Sequence, residues 1–171
     1  MDITALINQL SEELDDQAYK ASDELAKIGS EEVVTAMVKL LEHPKDEPKI
    51  IAARTLGLIE ENASALDAML AAIDSNPTIA GELLIELEGF DLSTKYVPIF
   101  KHSLFGGFKV ASVAQDLLNH KEFDITPRVY KKASKAWHHY ANNVKHDEVF
   151  ELNKLEVEAM LADLKSFIES E

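Results

Sequence analysis

The chain contains no cysteine, which excludes disulfide staples, thiolate metal sites and thiol catalysis. Long apolar runs are missing too: the longest is six residues, Ala68 to Ile73, against the ~18 or more that a membrane span needs. Basic charge is in short supply. Seventeen Lys+Arg face 31 Asp+Glu, a formal net charge of −14, which argues against nucleic acid as the main partner, because each phosphate would meet a field of its own sign. Met1-Asp2-Ile3-Thr4 offers no basic segment leading into an apolar stretch, so no secretory signal is expected and a cytoplasmic location is. Gly106-Gly107 lacks the Lys-Ser/Thr and the strand–loop–helix setting of a phosphate loop. Neither a serine elbow nor a Ser–His–Asp arrangement stands out. With 46% apolar and 28% charged residues, the composition is that of an ordinary globular protein. A chain of 171 residues fits one domain and buries roughly 70% of its unfolded surface without a metal.

Apolar residues recur at helical spacing almost everywhere, and nothing alternates with period two for long. Glycine and proline, only 6 and 5 in number, sit mostly between the periodic stretches. The pattern predicts helices near 2–14, 16–28, 31–43, 48–61, 64–75, 78–89, 94–104, 108–120, 127–141 and 147–169. Ser64 precedes Asp67 at capping-box spacing, and Thr126-Pro127 reads as an N-cap followed by a first-turn proline, as does Asn76-Pro77. Gly29 stands where a left-handed C-terminal residue is wanted, and His43-Pro44 stops its helix.

A repeat organises these helices. Ala21, Leu25 and Ile28 reappear 31 residues later as Ala52, Leu56 and Ile59, and after another 31 as Leu83, Leu87 and Phe90. Each triplet lies on one face of a helix. The second helices repeat as well: Val34, Met37, Val38 and Leu41 map onto Leu66, Met69, Leu70 and Ile73. Val97, Phe100 and Leu104 follow the same frame, which Lys101 interrupts. A degenerate fourth unit has Val113 and Leu117, then Tyr130, Ala133 and Trp137. A short helix cannot bury its face alone, whereas stacked pairs supply each other's missing core. The expected fold is therefore all-α, an α/α superhelix of about four helix pairs spanning 1–171 as a single domain. Residues 1–15 and 147–169 form capping helices around repeats 16–140. The first cap carries Ile3, Leu6, Ile7, Leu10 and Leu14 on one side; the last carries Phe150, Val157, Leu161, Leu164 and Ile168, with Met160 and Phe167 beside them. Both are expected to keep a polar outer face, since nothing stacks on them.

The unit from Lys20 to Gly29, followed by Glu31-Glu32-Val33-Val34 and Met37 to Leu41, resembles a short HEAT-like repeat of the type found in phycobilisome lyases. Ala52-Ala53-Arg54-Thr55-Leu56-Gly57-Leu58-Ile59 matches better still, and Pro98 falls where that family often has a proline. The resemblance covers roughly 18–105 well and 108–140 loosely; it departs at Glu60, where the usual glycine is missing, and at Gly106-Gly107. It implies an armadillo-like α-solenoid that presents a surface to other proteins. The family is functionally diverse, so fold alone does not hand over function.

Charge is unevenly placed. Residues 1–32 carry net −7 and residues 147–171 net −6, whereas 126–146 hold Arg128, Lys131, Lys132, Lys135 and Lys145 with no acid. The first four of these fall at i, i+3, i+4, i+7, one basic stripe, with Tyr130, Trp137, His138, His139 and Tyr140 on or beside the same helix. Arg128, Lys131, Lys132, Lys135, Trp137, His138, His139 and Tyr140 are the candidate partner-binding residues. One reading is a docking surface for an acidic or aromatic-rich protein segment. Two plainer readings stay open: a solvated face, or a face satisfied by the chain's own acidic final helix.

Other constellations carry less. His138 and His139 are adjacent, so their side chains diverge by about 100° on a helix and do not chelate together. His43, His102 and His120 stand near predicted helix C-termini, where imidazolium complements the dipole. Glu82/Glu86 and Glu60/Glu61 read as solvated carboxylates, and Met37, Met69, Phe90 and Phe100 as core. Phe105 and Phe108, flanking the double glycine, are the better candidates for exposed aromatics. No metal site and no cofactor are expected. The sequence points to a non-catalytic protein–protein interaction module. Three alternatives are a bilin-lyase-type enzyme subunit, which the resemblance suggests, an acidic inhibitor or immunity-type protein, and a DNA-handling enzyme of the alkylpurine-glycosylase sort. The charge of −14 argues against the last.

Overall fold

A computed structural model describes residues 2–10 and 13–170, and among them every regular element is helical. The helices are α1 (Ile3–Asn8), α2 (Asp16–Ile28), α3 (Glu31–Leu40), α4 (Asp46–Leu58), α5 (Leu66–Ser75), α6 (Ala80–Ile85), α7 (Tyr96–Phe105), α8 (Phe108–His120), α9 (Pro127–Asn143) and α10 (Glu148–Glu169). Short 3-10 turns occupy Ala63–Ala65 and Glu86–Gly89. No helix among the described residues is long and apolar enough to cross a membrane. The chain divides into two compact units, Met1–Asp91 and Leu92–Glu171. The division falls inside the third sequence repeat, after its first helix.

Helix ends follow local chemistry. The carboxylates of Asp15 and Asp147 accept from the amides of Ala18 and Phe150, at 2.8 and 2.9 Å, starting α2 and α10. Ser30 caps α3, and Thr126 accepts from Val129 N at 3.2 Å ahead of Pro127, as its sequence predicts. Gly29 has φ 54° and donates to the Leu25 carbonyl, closing α2. Two expected caps are absent. Ser64 lies inside the 3-10 turn and makes no cap hydrogen bond, because Asn62 arrests the chain first: its Nδ2 donates to the Leu56 and Gly89 carbonyls at 2.9 and 3.0 Å. Asn76 turns back to the preceding helix, donating to Ala72 O at 2.8 Å and accepting from Lys49 Nζ at 2.7 Å, so α6 begins later, at Ala80. α1 ends at Asn8, short of the expected helix 2–14, part of which lies outside the described residues.

In the Met1–Asp91 unit, α4 packs against α2 on one side and against α6 and the Glu86–Gly89 turn on the other, with α3 beside it. The repeat residues form this core: Ala21, Leu25, Ala52, Leu56, Ile59, Leu83, Leu87 and Phe90 are buried, as are Met37, Leu41, Met69 and Ile73. Ile28 alone of the three triplets is exposed. Each fully buried aliphatic contributes about 1.5–3 kcal/mol. A polar seam joins α2 to α4. The buried hydroxyls of Ser22 and Thr55 are 2.8 Å apart, and Arg54 donates to Ser22 Oγ at 2.7 Å, pairs with Asp23 at 2.9 Å and lies over the Tyr19 ring.

Burial holds the Glu86 carboxyl above the ordinary glutamate range, with the Arg54 charge pulling partly the other way. The folded chain therefore binds this proton more tightly than the unfolded one. The stabilisation is fully present below the ordinary glutamate value and is lost as pH rises through it toward the raised one. Glu86→Gln is expected to raise the thermal midpoint at neutral pH, with the gain vanishing in acid. Equal midpoints at pH 7 would contradict this.

In the Leu92–Glu171 unit, α7 packs on α8 and α9, and α9 on α10. Tyr96 stacks on Phe100 and meets Phe123 edge-on at 5.2 Å, and burial pushes its hydroxyl up to about 12. The loop before α9 is tied down by Asp124 N donating to Ser93 O at 2.8 Å. On α10, Phe150, Val157 and Leu161 are buried as expected. Its outer face is not polar throughout: Val149, Leu152, Leu155 and Phe167 are exposed. The one-sided apolar stripe expected of a capping helix is thus only partly realised.

Candidate functional site

The candidate face is built on α9. Thr126 and Pro127 start the helix, and Ala133, Ala136 and Trp137 bury one side of it. At 100° per residue these three span an arc of about 100°, and Arg128, Lys131, Lys132, Lys135, His138 and His139 fall within about 120° on the opposite side. All six are exposed. Among the described residues no ion pair or hydrogen bond joins Arg128, Lys131, Lys132 or Lys135 to a carboxylate. The helix therefore presents bare cations on a chain whose formal charge is −14.

Two of the sequence-predicted residues sit elsewhere. Trp137 is only 5% exposed, its ring parallel to Phe150 at 5.8 Å and near Tyr140 at 5.9 Å. It belongs to the α9–α10 core and is not available as a docking anchor. Its helical phase is the reason: position 137 lies about 180° from position 128. Tyr140 is half-buried in the same cluster, which His146 closes by stacking on Phe150 at 4.0 Å.

Sequence reasoning did not place Phe105 beside this helix. Its ring, 53% exposed, meets Tyr140 edge-on at 5.3 Å and lies 6.2 Å from the His139 ring. Phe108, just past the double glycine, is 94% exposed. The packing of α7 on α9 brings Phe105 to the His139 end of the basic stripe, and Phe108 follows three residues later at the start of α8, which packs on α7. Only the exposure of these two phenylalanines had a sequence signal, the flanking Gly106-Gly107.

Four of the six histidines make local hydrogen bonds. His138 Nδ1 donates to Ser134 O at 2.7 Å, and His146 Nε2 to Ala141 O at 2.6 Å. His120 bonds the Asp116 carbonyl near the end of α8, and His43 Nδ1 accepts from Lys45 N at 3.1 Å. Among the described residues no cluster of three or more His, Asp or Glu is placed to hold a metal ion.

Elsewhere in the Met1–Asp91 unit, a groove of about 460 Å³ between α3 and α5 is floored by Val38, Ala68 and Ala72, with Lys49 and Asn76 at one end. The Lys49 ammonium is held by Asn76 and by Asp46 at 3.3 Å, so the groove's cation is already engaged. A scan of protein-family models and a comparison with curated proteins gave no match to the chain.

Proposed function

We propose that the chain is a non-catalytic protein-interaction module of the HEAT-like, α-solenoid class, and that it docks a partner protein through the basic face of α9. The observation that carries this reading is the set of four exposed cations, Arg128, Lys131, Lys132 and Lys135, without a carboxylate partner among the described residues. A surface that served only solubility would intersperse both signs, since exposed pairs form readily and each is worth ~0–1 kcal/mol. Here one helix keeps a single sign while the rest of the chain is strongly acidic. Such a patch steers an oppositely charged segment and rejects like-charged ones. The stacked first helices α2, α4 and α6, with a core drawn from the repeat residues, support the HEAT-like reading.

The test is affinity purification of the tagged chain from its native lysate beside the Lys131→Glu/Lys132→Glu/Lys135→Glu triple variant, with mass spectrometry of what each retains. A protein held by the wild type at low salt should be lost by the variant and released by raising ionic strength, because the Debye length falls from about 10 Å at 0.1 M to 3 Å at 1 M. The variant should keep its folding stability to within about 0.5 kcal/mol, as surface changes do. Retention of the same protein by both would move the binding site away from α9.

A further inference from the structure

We infer that the segment docking on α9 combines an acidic run with one bulky apolar residue, and that this residue seats against Phe105 and Phe108. The inference rests on the docking reading of α9 and adds the chemistry of the partner. Three observations converge. The cations occupy the solvent side of α9 from Arg128 to Lys135, and His139 continues their line. The Phe105 ring lies 6.2 Å from that of His139, so the stripe ends beside an aromatic surface. Phe105 is also fixed edge-on by Tyr140, so it is held in place before any partner arrives.

Phe108 presents nearly its whole ring to water. Covering such a ring removes apolar surface from water and favours an apolar contact. From Arg128 to His139 the helix rises about 16 Å at 1.5 Å per residue. An extended segment covers that distance with about five residues. The complementary partner therefore carries about five acidic or polar residues along the stripe, with its apolar residue at the end of that run and not within it. Acidic side chains supply steering and orientation, while the apolar residue supplies slow dissociation. An anionic bilayer would meet the same cations and rings. The protein segment is favoured because residues 147–171, which follow the basic stretch directly, carry net −6, a charge that a broad anionic surface would repel and a narrow segment avoids.

The experiment is fluorescence anisotropy of the full chain with two labelled peptides at low salt. One carries an acidic run of about five residues followed by tryptophan, and the other has serine in place of that tryptophan. The tryptophan peptide should bind about tenfold tighter, and Phe108→Ser should abolish that advantage while leaving the serine peptide's affinity unchanged. Phe108 is too exposed for its loss to disturb folding, which circular dichroism checks. Equal binding of the two peptides, both lost on Lys131/Lys132/Lys135→Glu reversal, would overturn the apolar anchor and leave the docking face standing. Failure of both peptides to bind would overturn the docking face as well. Sedimentation with phosphatidylserine vesicles, lost in Phe108→Ser, by a chain that ignores both peptides would reassign the surface to a bilayer and overturn the inference.

Discussion

Gly89→Ala is expected to destabilise the Met1–Asp91 unit by about 3 kcal/mol or more, at the upper end of what overpacking does. A Cβ on Gly89 would stand 1.7 Å from the Gly57 carbonyl oxygen and 2.6 Å from its carbon. Both partners are backbone, so no rotamer change relieves the contact. The turn ending at Gly89 must move away from the end of α4. That movement also breaks the clasp in which Asn62 donates to Leu56 O and Gly89 O. A glycine-to-alanine change without such contact shifts stability by about 0.4–1 kcal/mol through the unfolded chain alone, so the clash dominates. Gly107, with nothing within 4 Å of its Cβ position, is the control. Thermal unfolding followed by circular dichroism should show Gly89→Ala lowered by roughly 10 °C and Gly107→Ala nearly unchanged. Similar midpoints for the two variants would mean that α4 and the 3-10 turn are not in contact.

Trp137→Ala should cost about 3–5 kcal/mol, the usual range for removing a buried aromatic. The indole packs against both Tyr140 and Phe150, whose rings also meet each other at 6.5 Å, and no other tryptophan exists to replace it. Truncation opens a cavity between α9 and α10, whose contacts in this region are mainly aromatic. The result separates two roles for one helix, since Lys131→Glu, one and a half turns away on the exposed side, should leave stability within about 0.5 kcal/mol. Chemical denaturation of both variants reads this directly. A loss below about 1 kcal/mol for Trp137→Ala would return that side chain to the surface.

What was legible in the sequence was whatever one element decides by itself. The i, i+4, i+7 triplets placed the core of α2, α4 and α6, because helical phase alone selects a buried face. Thr126-Pro127 and Gly29 were readable for the same reason: the cap lies within a few residues of its partner amide or carbonyl. Misreadings arose where a distant group competes for the same atoms. Asn76 has an N-cap sequence ahead of Pro77, but Lys49, 27 residues earlier, draws its side chain back. Ser64 caps nothing, because the chain enters a 3-10 turn at Ala63 after Asn62 is held by the Gly89 carbonyl, 27 residues away. Ile28 kept the repeat pattern and still emerged exposed, since α2 ends at Gly29. On α9 the cations were legible as a stripe, whereas Trp137 was drawn to that stripe by sequence adjacency when its phase assigns it to the core. Phe105 beside His139 had no sequence signal, because the contact depends on how α7 packs on α9.

The central claim is that the solvent side of α9 receives an acidic protein segment. A titration of isotope-labelled chain with the acidic tryptophan-bearing peptide, followed by amide chemical shifts, locates binding without knowledge of the natural partner. The account predicts shifts concentrated on Arg128 to His139 and on Phe105 to Phe108, vanishing in high salt and in the Lys131/Lys132/Lys135→Glu variant. Shifts centred on the α3–α5 groove, or none at all at low salt, would contradict it.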